Sequence, residues 1–476
     1  MTFLSDFPDH ISPMLVKELR QGLRSKAFVI PFLVFQGLML FILLTTASAA
    51  DGDNAGSIIS NIILTFFGFA ALFFQPLRGN TAINSEIKAN TMEVMSLTRL
   101  DTTRIVLGKW FSIVSQTALL LVSVIPYLVL RYFFGGMNIF GEMMILGLLF
   151  ITSTFLTAFT VGLSASKFRI ANFVPIVLIF LIFGQLPRYV FSGSSASGFM
   201  EIASFEHPDS FLILGGYLLI GSYLAACCLN FGITMIAPPA ENHSSVMRFV
   251  AIVLTLVISG LAFTDLINPQ FYFLLYFLVL APAFLRALNE PSHLLPPICQ
   301  PFVKRGILGK LASRILYPGW PAGVYFTVLL SAIALTVLYQ RSSNFRDEEF
   351  LLASLSLYGA FLFPALLCQY FSKTESKRFL NYLLFLLASG GLTAIALTFF
   401  NIWEKKQLYW LFAWNPSMYL GFIDNRAVNE ILALKCLVAL DALILILMLI
   451  NATRAFHRYR PVIEATEASL KPPAEA

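Results

Sequence analysis

Charge is scarce in this 476-residue chain: Asp, Glu, Lys and Arg make up 12% of it, while 58% is hydrophobic. So thin a polar coat cannot cover the apolar surface of a water-soluble domain, which excludes a soluble globular fold. Alternating strand-like segments of about ten residues are missing too, which removes a membrane β-barrel. Cysteine is rare. Cys227, Cys228, Cys299, Cys368 and Cys436 show no metal-ligand spacing and fall in or beside apolar runs, so they read as small buried hydrophobes, with no disulfide framework and no metal. The five histidines are scattered through expected loops and tails, and no HExxH, GxSxG or GxxxxGK[ST] occurs. No catalytic residue is expected, and without a phosphate-binding loop the chain itself should hold no nucleotide cofactor.

The sequence does contain a series of apolar runs, continuous for 18–24 residues, with a mean hydropathy over the chain of +0.78. About 20 helical residues cross a bilayer core, so the runs read as transmembrane helices. The expected fold is an all-α polytopic membrane protein of about twelve spans, placed near 27–48, 57–76, 110–130, 143–165, 170–190, 210–236, 247–266, 269–288, 322–340, 350–371, 379–400 and 431–452. Ala47-Ser48-Ala49 imitates a signal-peptidase site, but the region before it is too long for a leader, and the first run is expected to stay as a span.

Orientation comes from the positive-inside rule. With both termini cytoplasmic, 24 of the 32 Lys and Arg residues fall on the cytoplasmic side, while Asp51, Asp53, Glu201, Glu206 and Asp209 fall outside. The basic pI of 9.0 thus reflects cations facing an anionic leaflet. Nucleic acid is not an expected partner, because no soluble domain gathers those charges.

One polar stretch is longer than a connection needs. Residues 78–109, RGNTAINSEIKANTMEVMSLTRLDTTRIVLGK, separate the second and third spans. Asn90 with Glu93 resembles a capping box that opens a short helix over Thr91–Leu97, and Asp101 can cap a second helix running into the third span. An exposed helix mixing apolar and acidic residues suits a protein contact. Ahead of the first span, SPMLVKELRQGLRSK places Leu15, Leu19 and Leu23 on one face and Lys17, Arg20 and Arg24 on others, the pattern of an interfacial helix.

The run from Glu86 to Trp110 resembles the cytoplasmic loop of type-2 ABC transporter permeases, and PMLVKELRQGLRSKAF resembles the interfacial helix of the same family. The resemblance covers residues 12 to about 236. It implies a six-span permease domain whose loop after the second span carries a coupling helix that docks on a separate ATP-hydrolysing subunit. By position, the docking set would be Glu86, Thr91, Met92, Glu93, Val94, Met95, Leu97 and Arg99, with Leu107, Gly108 and Lys109 as the family's LGK element. Leu15, Lys17, Glu18, Leu19, Arg20, Leu23 and Arg24 would form the interfacial helix. Asn90 stands where the family usually has glycine, and Arg99 where it usually has proline. ATP and Mg would sit on the partner ATPase subunit, and the family's setting implies a prokaryotic inner membrane and an exporter.

The expected domains are 1–240, the permease unit; 241–460, a second six-span bundle, accessory or a degenerate repeat; and 461–476, a cytoplasmic tail. Arg305–Ser313 shares five of nine residues with Arg104–Ser112, but Pro318 and Pro321 come after it and no TxE element precedes it, which speaks for chance similarity. Two permease domains are needed around one pathway, so the chain either forms a homodimer or pairs its two halves. Asp441, about ten residues into the last expected span, is the clearest intramembrane charge. It keeps open a second reading, an ion-gradient-driven carrier; a third is a non-transporting scaffold for a cytosolic complex.

Overall fold

The computed structural model describes residues 13–49, 55–89, 101–132, 139–166, 204–238, 240–264, 269–292, 294–341, 348–372, 377–402, 406–423 and 430–470. All regular structure among them is helical, and eleven helices are long and apolar enough to cross a membrane. The molecule is a multi-pass membrane protein. Helices satisfy their own backbone polar groups, which lipid cannot do. The span expected at 170–190 lies outside the described residues, and each of the other eleven overlaps an observed helix. The chain divides into two compact units, 1–237 and 238–476.

In the first unit, α1 (Pro13–Arg24) precedes the first span, α2 (Lys26–Ala49). The second span starts as α3 (Ala55–Phe69), passes through a π-helical turn (Ala70–Phe74) into α4 (Gln75–Gly79), and ends in a short α5 (Asn84–Lys88). Then come α6 (Thr102–Tyr132), α7 (Ile139–Ser164) and α8 (Ser210–Ile236). Lipid gives helices no hydrophobic reason to associate, so small and hydroxylated residues set the contacts. On α7, Ser153 donates to the Ala71 carbonyl in the π-turn at 2.5 Å, Thr160 lies against Gly79, and Ser164 accepts from the Ile83 amide at 3.3 Å. Gly162 of α7 presses on the Cys228 carbonyl of α8, and Trp110 of α6 donates to the Thr154 carbonyl at 3.0 Å.

The second unit contains α9 (Ser244–Ala262), α10 (Pro269–Asn289), two surface helices α11 (Pro296–Val303) and α12 (Gly306–Leu316), then α13 (Trp320–Arg341), α14 (Glu348–Phe371) and α15 (Arg378–Ile402). Two 3-10 segments, Lys406–Phe412 and Pro416–Phe422, lead to α16 (Glu430–Phe456) and α17 (Arg460–Leu470). Residues 461–470, expected as tail, are helical because Val462 and Ile463 pack on a cluster of Ile298, Cys299, Tyr317 and Tyr459.

The segment around Asn415, which falls between the expected spans 379–400 and 431–452, enters the bundle. Asn415 donates to the Ser389 carbonyl and to Thr393, both at 3.1 Å and both midway along α15, and Pro416 lies against Gly359, midway along α14. This is a re-entrant turn. Its backbone is kept from lipid: Asn415, Pro416, Ser417, Met418 and Tyr419 are all buried.

One ion pair organises the membrane end of the second unit. Arg248 of α9 reaches Glu290 at 2.7 Å and donates to the carbonyls of Ile315, Tyr317 and Gly319 at 3.0, 2.6 and 3.0 Å. Glu290 also accepts from the Gly319 amide at 3.0 Å, from Ser244, and faces Arg286 at 3.5 Å. Gly319 has φ +107°, a conformation that favours glycine, and this turn aims its amide and carbonyl at the pair.

Burial by itself would raise the Glu290 carboxyl, but Arg248, Arg286, Ser244 and the Gly319 amide together hold it below the usual carboxylate range. Its contribution to stability is therefore complete above the ordinary Glu value of 4.5 and is lost as the pH falls through the lower folded value. In detergent, wild-type protein should lose thermal stability across that acid window. Glu290→Gln should start about 3 kcal/mol less stable and show a flatter acid limb, because Arg248 is left buried without its counter-charge; parallel limbs would remove Glu290 from the cause. In the first unit, Gly162→Ala should lower unfolding stability by about 1–3 kcal/mol, since its Cβ meets the Cys228 backbone. Gly147, with nothing within 4 Å of an added Cβ, is the control, and its alanine variant should be neutral or stabilising by up to about 1 kcal/mol. Equal effects at the two positions would refute the close crossing.

Candidate functional site

Two helices that the sequence singled out, α1 and α6, meet at Lys109 with a third that it did not, α5. Asp101 opens α6 by accepting from the Thr103 amide at 3.3 Å, so the helix expected from Asp101 runs on into the third span and carries Leu107, Gly108 and Lys109 within its first turns. Lys109 thereby points between α1 and α5. Its ammonium lies 2.6 Å from Glu86 of α5 and 3.4 Å from Glu18 of α1, and its side chain is only 8% exposed.

Around this ion cluster the packing is tight. Gly22 of α1 leaves room for Ser112 and Gln116 of α6, and Ser112 donates to the Glu18 carbonyl at 3.1 Å. Gln116 accepts from Arg78 of α4, which also donates to the buried Gln75 at 3.1 Å and lies over the Phe28 ring at 5.6 Å. Two carboxylates, Glu18 and Glu86, thus flank the single cation Lys109, while Arg78 is held by the amides of Gln75 and Gln116. Ile83, just before α5, is fully buried against Val106, Ala158 and Val161. The base of the charged island is therefore fastened both by ions and by core packing.

Glu86, expected in a docking set, turns its carboxylate inward to Lys109. Thr91, Met92, Glu93, Val94, Met95, Leu97 and Arg99 lie outside the described residues. On α1, Lys17, Arg20 and Arg24 are exposed, while Leu15, Leu19 and Leu23 are half-buried because the helix docks along α6 through Glu18 and Gly22. The echo of the LGK element in the second unit differs in setting: Lys310 is exposed on α12 and pairs with Glu467 of α17 at 2.7 Å.

Asp441 lies within α16 and is 5% exposed. Its carboxyl faces the notch at Gly359 beside the re-entrant Pro416, and among the described residues neither oxygen has a hydrogen-bond partner. Sequence reasoning missed both the re-entrant turn and the Arg248–Glu290 pair. A signal existed for each: Asn415-Pro416-Ser417 is a turn sequence amid aromatics, and Glu290 is the last acid before Asp347.

Comparison with family models, with curated proteins and with solved structures gives no match to this chain.

The Lys109 cluster can fix α5 and α1 to the start of α6, so that a displacement of one carries the others. Lys109→Met should cost about 3 kcal/mol in detergent unfolding, because two mostly covered carboxylates lose their buried cation. In double-mutant cycles the Lys109–Glu86 coupling should exceed that of Lys109–Glu18, in keeping with 2.6 against 3.4 Å. A total loss below about 1 kcal/mol would mean the charges are screened as at an open surface, contrary to this geometry.

Proposed function

We propose that this chain is the membrane-spanning permease subunit of an ABC transporter, of the exporter type, in a prokaryotic inner membrane with both termini cytoplasmic. The observation that carries the reading is the buried Glu18–Lys109–Glu86 cluster. It ties the base of the 78–109 island to the third span and to the amphipathic helix ahead of the first. A solvated linker needs no such anchorage. A segment that takes up force from a soluble partner does.

In this reading residues 91–97 dock as a coupling helix on a separate ATPase subunit, which holds ATP and Mg. Closure of two ATPase subunits would push on that helix, and the push would pass through α5 and Lys109 into α6 and α1. ATP can shift the membrane domain only if docking energies differ between its inward- and outward-facing states. The first unit would form the pathway as a homodimer, with the second unit as an accessory bundle.

The test is a mild-detergent pull-down of the tagged chain from its native membrane, with ATPase activity assayed. A stoichiometric P-loop ATPase is the expected companion. Glu93→Lys and Met95→Asp should insert normally yet retain less of that subunit, by about tenfold or more where a charge is reversed or introduced at the docking face. Unchanged co-purification of both variants would sink the docking assignment. Absence of any ATPase would favour a carrier using Asp441 or a scaffold.

A further inference from the structure

The helix α12, between the second and third spans of the second unit, exposes an apolar ridge: Ile307 is 80%, Leu308 78% and Leu311 59% accessible. The ridge cannot turn inward. On the opposite face Gly309 rests against the Phe302 carbonyl, Ser313 is buried, and Lys310 is bridged to Glu467 of α17. At and beyond its C-terminus, Arg248 grips the carbonyls of Ile315, Tyr317 and Gly319, and Ser245 donates to that of Leu316 at 2.5 Å. Both Arg248 and Ser245 belong to the first turns of a membrane span, so α12 is held at the level where spans meet headgroups.

Its charge has one sign. Lys304, Arg305, Lys310 and Arg314 are exposed on or beside the helix, and no Asp or Glu occurs between Glu290 and Asp347. An apolar ridge flanked by cations and fixed at bilayer height matches the chemistry of an anionic lipid surface, acyl chains below and phosphates beside them.

We propose that α12 is an in-plane membrane anchor that recognises acidic phospholipid. Ile307, Leu308 and Leu311 lie among the outermost acyl carbons, and Lys304, Arg305 and Arg314 hold the phosphates. Lys310 is partly engaged by Glu467 and contributes less.

The test uses the full chain in nanodiscs of phosphatidylcholine with and without phosphatidylglycerol. Nitroxides are placed singly at Ile307→Cys, Leu308→Cys and Leu311→Cys in a background with the native cysteines replaced. Collision with oxygen should exceed collision with a soluble nickel chelate at all three positions, and the excess should grow when phosphatidylglycerol is present. Arg305→Gln with Arg314→Gln should abolish that growth while leaving the fold intact. A ridge open to the nickel chelate faces water, and one closed to both probes is covered by protein; either result overturns the proposal. So does an immersion that is the same in both lipid mixtures.

Discussion

A lysine shared between two carboxylates holds the first unit together at the membrane border. Lys109 is nearly buried, and an uncompensated ammonium there would be expelled by its own desolvation. Glu86 and Glu18 supply the compensation from opposite directions, one from the end of the second span and one from the helix before the first. The consequence is geometric. Neither α5 nor α1 can leave α6 without stranding a buried charge, so three elements far apart in sequence act as one piece. Arg78, Gln75 and Gln116 extend the polar seam along the same face, and the hydroxyl stripe of α7 closes it from the other side.

The second unit meets the same constraint with an arginine. Arg248 pairs with the carboxylate of Glu290 and gives three more of its donors to backbone carbonyls. The planar guanidinium suits this task, since it satisfies several acceptors in one plane where an ammonium would satisfy them as a point charge. The result is a cap of surface helices bolted to the ends of α9, α10 and α13. Among the described residues, two departures from α-helix within the bundles are treated alike. The π-turn carbonyl of Ala71 accepts from Ser153, and the re-entrant turn is supported by the side chain of Asn415. Both depend on polar side chains buried within protein, the condition under which irregular backbone survives at membrane depth.

Lipid explains why some features were legible in the sequence and others were not. Spans were legible because lipid imposes a length and a composition on every one of them, and eleven helices obey that rule among the described residues. The start of α6 was legible through Asp101, because capping is local chemistry. Pairing was not. Glu18 looks like one acid among the cations of an interfacial helix, and only the three-dimensional approach of α1 to α6 at Gly22 makes it a partner for Lys109. The re-entrant turn was hidden for a related reason. Its residues are aromatic and small, without the 18-residue run that marks a span, and a loop outside the membrane has the same composition.

The two LGK sequences show how far local identity carries. Leu107-Gly108-Lys109 and Leu308-Gly309-Lys310 are the same three residues, each following the second span of its unit. In the first, the tripeptide lies within a helix that continues as the span, and Lys109 is turned inward onto two acids. In the second, Pro318 and the turn at Gly319 end the helix before the span begins, so it lies on the surface with Leu308 exposed and Lys310 at its rim. The difference comes from the residues on the C-terminal side of the motif. A helix that runs on into the bilayer must neutralise its lysine inside the protein. One that stops at the surface can leave it to water and headgroups. The same three residues therefore serve as an internal fastening in one unit and as the edge of a membrane-facing helix in the other.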